Sequence, residues 1–167
     1  MYQIGEKVVY GVHGVCIVAD QEERVIDRKK RVYLALEPVG QEGSRYLVPT
    51  HNETAMAKLR PMLSAQELET LLRSDEVRKD GWIRDEAQRK NTYRELIGSG
   101  DRIRLMQMVH TLYRHRAEQS AAGKKVHLCD ENFLRDAEKL LAGEFSIVLQ
   151  MEQDQAKNYL RSHLKAE

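Results

Sequence analysis

Pro61-Met62-Leu63-Ser64-Ala65-Gln66-Glu67-Leu68 marks the place where the chain changes its period. Before it, β-branched and aromatic residues come in short bursts separated by Gly, Asp and Pro, whereas after it apolar residues recur three and four apart. Ser64 and Glu67 have the Ser-x-x-Glu spacing of a capping box, so a helix is expected to start there, ahead of Leu68, Leu71 and Leu72. The expected fold class is α+β, with a β domain over residues 1–62 and an all-α domain over residues 63–167.

On the amino-terminal side the bursts fall at residues 7–10, 15–19, 23–26, 32–37 and 46–48. The intervals are too short for crossover helices, so consecutive strands should pair antiparallel. Five strands in so small a segment should curl into a small barrel or pack a helix on an open face. Residues 55–62 add a sixth short strand or lead across the boundary. Gly11 and Gly14 bracket Val12-His13 and signal a hairpin. Asp27-Arg28-Lys29-Lys30-Arg31 reads as a solvated hairpin tip, or as a contact for phosphate or an acidic surface.

On the carboxyl-terminal side five helices are expected. After the first, residues 87–97 read as helix and Gly98-Ser99-Gly100 stops it. Asp101 is placed to cap the next, with Leu105, Met106, Val109, Leu112 and Tyr113 on its apolar face and cations on the other. Asp130 is placed to cap a long helix, which Gly143 could bend, and Asp154 to cap a last one.

The 167 residues carry 27 Lys/Arg and 26 Asp/Glu, so charge matters only through its distribution. Residues 102–127 hold six Lys/Arg against the single acid Glu118, and residues 130–167 hold eight Asp/Glu against five Lys/Arg. A basic middle beside an acidic tail suits one-sided contact with a polyanion, or is a solvated helix surface. No apolar run reaches membrane-spanning length and residues 1–7 lack the plan of a signal peptide, so a cytoplasmic protein without membrane contact is expected. Cys16 and Cys129 stand far apart and outside any ligand spacing, which predicts reduced thiols and no zinc.

No catalytic constellation, metal site or cofactor motif is found, and no enzyme activity is expected. Gly11-Val12-His13-Gly14 and Gly98-Ser99-Gly100 are neither a dinucleotide fingerprint nor a phosphate loop, and His110 and His115 are five apart, off one helix face. Trp82, the only tryptophan, follows Gly81 in a polar stretch. It reads either as a ring stapling the start of a helix or as a stacking wedge among Arg84, Arg89 and Lys90, with Asp80, Asp85 and Glu86 diluting that patch.

Gly5-Glu6-Lys7-Val8-Val9-Tyr10 followed by His13-Gly14-Val15 resembles the start of the CarD/CdnL family of bacterial transcription regulators. Ile97-Gly98-Ser99-Gly100-Asp101, Leu112-Tyr113-Arg114-His115-Arg116 and Ala137-Glu138-Lys139-Leu140-Leu141 resemble its helical domain, in order along nearly the whole chain. The resemblance implies a Tudor-like RNA polymerase-interacting β-barrel joined to a helical DNA-binding domain, acting as a monomer. It further implies that sheet edges pair with the polymerase β subunit and that the helical domain touches promoter DNA at the upstream edge of the bubble, stabilising the open complex. Arg24 matches a polymerase-contacting arginine. Leu47 stands where a second is usual, and Arg45, two residues earlier on the same strand face, is its substitute beside Val48 and Pro49. The DNA-contacting set implied is Trp82, Arg84, Arg89, Lys90, Arg102, Arg114, Arg116, Lys124 and Lys125. The alternative is an SH3-like protein-interaction adaptor without DNA contact.

Overall fold

The computed structural model describes residues 1–79 and 81–165. It divides into two compact units, Met1–Met62 and Leu63–Glu167.

The first unit is one five-stranded antiparallel sheet. The strands are β1 (Lys7–Tyr10), β2 (Val15–Ile26), β3 (Lys29–Pro38), β4 (Tyr46–Pro49) and β5 (Leu59–Pro61), in the spatial order β4-β3-β2-β1-β5. The expected barrel does not close: β4 and β5 are the two edges, and among the described residues they do not pair with each other. A short helix, α1 (Glu53–Met56), instead sets Ala55 and Met56 against the apolar face, whose buried centre is Val8, Cys16, Val18, Leu34, Leu36 and Val48. A single turn of helix satisfies the apolar face that closure would otherwise cover.

Two expected strands, at 15–19 and 23–26, are one strand of 12 residues. The acidic stretch between them also pairs with β3, after a register shift at Ala19, through Gln21↔Leu34 and Glu22↔Tyr33. The fifth strand is β5, within the segment left open between strand and linker. Beyond the reach of β1 and β4, the pairs Arg24↔Arg31, Val25↔Lys30 and Ile26↔Lys29 stand as a two-stranded ribbon. Asp27 and Arg28 turn it with φ of 51° and 61°, the two-residue left-handed geometry that matches strand twist. Lys29, Lys30 and Arg31 belong to β3, so the tip is shorter than the charge run suggests.

The second unit packs α2 (Ala65–Arg73), α3 (Glu86–Ser99), α4 (Arg102–Ala121), α5 (Leu128–Val148) and α6 (Gln153–Leu164), with a 3-10 turn at Asp75–Arg78. Ser64 and Glu67 form the expected capping box at 3.1 and 2.8 Å. Gly100 ends α3 in the left-handed region, and Asp101 caps α4. Two expected caps are displaced: His127 precedes α5 and Glu152 caps α6, leaving Asp130 and Asp154 in the first turns. Asp130 fails as a cap because its carboxylate turns inward, to Arg89 at 2.8 and 3.0 Å.

The expected two-faced α4 is also corrected. Leu105, Met106, Met108, Val109, His110, Thr111, Leu112 and Tyr113 are all buried, so its middle is enclosed on nearly every side and its cations are confined to the ends. His110 survives there because its Nδ1 meets the Leu164 carbonyl at 2.8 Å.

Three buried carboxylates of α5 each hold an arginine: Asp130 takes Arg89, Glu138 takes Arg161 at 2.9 Å, and Glu144 takes Arg102 at 2.5 Å. Glu138 also accepts the Tyr113 hydroxyl at 2.5 Å, and burial together with that bond pushes the phenol far above its ordinary range. Removing one member of a buried pair strands the other charge, which typically costs about 3–5 kcal/mol. Asp130→Ala should therefore destabilise the helical unit by that amount, read as urea unfolding followed by Trp82 fluorescence. Arg73→Ala, which breaks the exposed 2.8 Å pair with Glu69, should change it by about 0.5 kcal/mol or less.

Candidate protein and nucleic-acid interfaces

In β2, Cys16 and Val18 point into the core, and strict alternation would send residues 20, 22 and 24 the same way. A register shift between Val18 and Asp20 inserts Ala19 as an extra residue and reverses that parity. Asp20, Glu22 and Arg24 are thereby turned to the opposite face, across from Ala35, Tyr33 and Arg31. The bulge is what converts an acidic and basic run into an exposed surface rather than a set of buried charges.

Arg45 lies on that same face. Its guanidinium reaches over β3 to Glu22 at 2.7 Å and Asp20 at 3.9 Å, while Arg24 meets Glu22 at 2.9 Å. Arg24 and Arg45 thus share one carboxylate, with about half of each arginine side chain exposed. Glu22, itself only a quarter exposed, orients both guanidiniums, and its pairing with two half-exposed arginines contributes little to stability.

The strand beside them is an open edge. The Thr50 amide donates to the Val32 carbonyl at 3.1 Å, which makes Thr50 and Val32 a hydrogen-bonded pair. Alternation then turns the N–H and C=O of Tyr46 and Val48 toward β3 and those of Leu47 to the open side. Pro49 offers no N–H, and its carbonyl already accepts from Asn52 at 3.1 Å. Val48 is fully buried in the core, so of the expected contact residues its side chain is removed, while Leu47 and Pro49 stay partly exposed.

In the helical unit Trp82 is half-buried. Its indole stacks on His115 with ring centroids 3.5 Å apart and planes 14° from parallel, and the Arg89 guanidinium lies 4.5 Å from the ring. Arg89 is 2% exposed and also bonds to the Ile83 carbonyl at 3.0 Å, so one buried arginine ties α3, α5 and the Trp82 loop together. Arg89 is therefore corrected from a candidate phosphate contact to an internal clamp. Arg102 is corrected likewise: its side chain is 11% exposed on Glu144, and it sits at the opposite end of α4 from His115.

The remaining cations are distributed unequally. Arg84, Lys124 and Lys125 are exposed, and Gly123, with φ of 69°, turns the loop that carries the two lysines. Lys90 pairs with Glu86 at 2.8 Å, Arg116 lies 3.5 Å from Glu131 and 5.5 Å from the Tyr113 ring, and Arg114 is half-buried. Asp80 lies outside the described residues. Sequence reasoning missed His115 and Asp130 as the partners that fix Trp82 and Arg89. Both stand in motifs already singled out, but only tertiary packing brings them to the tryptophan.

Among the described residues no group of three or more His, Cys, Asp or Glu could hold a metal ion, and no helix is long and apolar enough to cross a membrane. Cys16 and Cys129 are free thiols, and burial pushes the Cys16 thiol up to about 11.

A sheet with an open, arginine-flanked edge and a helical unit with a stacked aromatic corner together define a two-unit α+β protein. Residues 2–61 match the CarD-like/TRCF RID domain and residues 67–161 match the CarD C-terminal domain. The chain belongs to the CarD-like family, a family of non-enzymatic transcription factors, and its first unit is an RNA polymerase-interacting domain. No curated protein matches the chain.

Burial pushes the His115 imidazole below its ordinary value of 6.5, reinforced by Arg89 and His127 and opposed by Asp130 and Glu118. A folded-state value below the unfolded one means that the unfolded chain takes the proton first. Stability that is full above 6.5 is therefore lost as pH falls through that value toward the folded one. Because a protonated imidazole quenches the stacked indole, Trp82 fluorescence should titrate with a midpoint under 6.5, and His115→Gln should abolish the transition. A midpoint above 6.5 would contradict the burial argument.

Proposed function

We propose that the protein is a cytoplasmic, nucleoid-associated transcription regulator that, as a monomer, binds the RNA polymerase β subunit through residues 1–62 and promoter DNA through residues 63–167. The observation that carries the reading is the single face on which Arg24, Arg45 and the open edge of β4 meet, in a domain of the RNA polymerase-interacting family. An extended segment of the β subunit adds a strand at Leu47, main-chain bonds supply affinity, and the two arginines select an acidic partner. The helical domain touches DNA near the upstream edge of the bubble through Trp82, Arg84, Arg116, Lys124 and Lys125, and stabilises the open complex. Phosphate neutralisation positions the protein, and the indole acts on a base step.

The adaptor reading without DNA contact gains from two observations: Arg89 and Arg102 are held internally, and Trp82 already has a stacking partner. Polymerase capture from lysate in the presence of nuclease tests the part that both readings share. Arg24→Glu with Arg45→Glu should weaken capture of the β subunit without lowering the melting temperature, since both side chains are solvent-facing. Unchanged capture would move the contact to the β5 edge.

The DNA arm separates the two readings. If about three to five phosphates are engaged, log K should fall against log salt with a slope of roughly −3 to −5, flattened by Lys124→Glu. A salt-independent affinity would favour the adaptor.

Trp82→Ala should cost about 3 kcal/mol of stability, the lower end of a packed-tryptophan truncation, because the half-buried ring loses its stack, the arginine contact and its packing against the helical core together. On a promoter it should shorten the open-complex lifetime about five- to thirty-fold, measured against a competitor with polymerase binding checked in parallel. A folded Trp82→Ala protein that preserves the full lifetime excludes the wedge.

A further inference from the structure

The loop that carries Trp82 also walls a cavity of about 300 Å³ between itself, α3 and α4. Tyr93, Leu96 and Met108 form its buried lining, each under a tenth exposed. Lys79 and Arg104 lie at its outer part, and among the described residues neither makes an ion pair. The opening is maintained from both sides. The Gly81 amide donates to the buried Thr111 hydroxyl at 3.3 Å, which fixes the loop, and a Cβ at Gly81 would meet nothing within 4 Å. Gln107, also in the lining, donates its Nε2 to the Glu76 carbonyl at 2.9 Å, which leaves its amide oxygen as an acceptor for a ligand.

Two cations above an apolar, partly aromatic lining, with the Thr92 hydroxyl and the Gln107 amide at the side, match a ligand that is anionic at one end and flat at the other. A bare anion would leave the apolar lining unused, and a hydrocarbon would leave Lys79 and Arg104 without a counter-charge. The volume stands at the lower end of the roughly 300–1,000 Å³ of small-molecule pockets, enough for one nucleotide unit and not for two. We infer that this cavity is a binding site for a nucleoside monophosphate unit, with Arg104 and Lys79 on the phosphate and the base against Leu96 and Met108. Thr92 and Gln107 meet the polar edge of the base. The unit is either a free nucleotide or an unstacked nucleotide of single-stranded DNA, and the site does not require the promoter contact proposed above.

Titration calorimetry of the full chain at low salt tests this with AMP and GMP, inorganic phosphate, a short single-stranded oligodeoxynucleotide and its duplex. Two variants accompany the wild type. Arg104→Ala removes a cation from an exposed position, and Thr92→Phe fills the cavity from a half-buried one, so a folding defect in one leaves the other to decide. The expected result is mononucleotide binding weakened about tenfold or more in both variants, the loss typical of a charged hydrogen bond. Binding of the single strand alone, weakened equally by both variants, supports the site with DNA as its source. Phosphate binding as tightly as AMP, a titration with no heat from any nucleotide or oligonucleotide, or affinities indifferent to both variants overturns it.

Discussion

The helical unit hangs on the three carboxylates of α5. Asp130, Glu138 and Glu144 fall within about a third of the helix circumference, and from that stripe they reach Arg89 on α3, Arg161 on α6 and Arg102 on α4. A buried charge is tolerated only when paired and hydrogen-bonded, so each carboxylate dictates where a guanidinium must lie and hence where a neighbouring helix must pack. Replacing such pairs by apolar residues is often neutral in stability. What the pairs supply here is position, because an apolar contact can slide and a two-pronged Arg89–Asp130 bond cannot. The Trp82 loop inherits that precision, since Arg89 also holds the Ile83 carbonyl and lies against the indole.

This internal use of arginine limits the outward electrostatics. In a chain with 27 basic and 26 acidic residues, each guanidinium drawn inside removes a candidate phosphate partner. Of the cations that the resemblance assigns to DNA, the exposed ones without a described ion pair, Arg84, Lys124 and Lys125, sit on loops rather than along a helix face. Any polyanion contact is therefore local and shallow, and needs a second tether to persist. The β domain can provide it: its half-exposed arginines are steered by the partly exposed Glu22, a partner that can be exchanged for another acid at little cost.

What was legible in the sequence follows from how local the signal is. The period change at Ser64, the capping box, the glycine stop at Gly100 and the Asp101 cap depend on a few neighbouring residues, and they appear where the sequence puts them. The continuity of β2 was hidden because Asp20, Gln21 and Glu22 look like a loop by composition, and only pairing with Ala35, Leu34 and Tyr33 makes them strand. Asp130 looks like a cap because a capping aspartate and an aspartate that pairs across a bundle have the same local context. The cations near α4 looked like a helix face because periodicity cannot reveal that the middle of a helix is enclosed on nearly every side. Arg24 and Arg45 were identifiable as a pair by family resemblance and strand parity, but their shared acid, Glu22, depends on a bulge that no local pattern announces.

The staple and wedge readings of Trp82 are linked by a free energy rather than opposed. The stack on His115, the Arg89 contact and the packing against the helical core all hold the ring, so a wedge role requires DNA to offset the three together. Within that corner His115 is the titratable member: burial disfavours its charged form, opposed by Asp130 and reinforced by Arg89. Acidification therefore works against the packed corner as a whole, because the unfolded chain takes the proton more readily than the folded one.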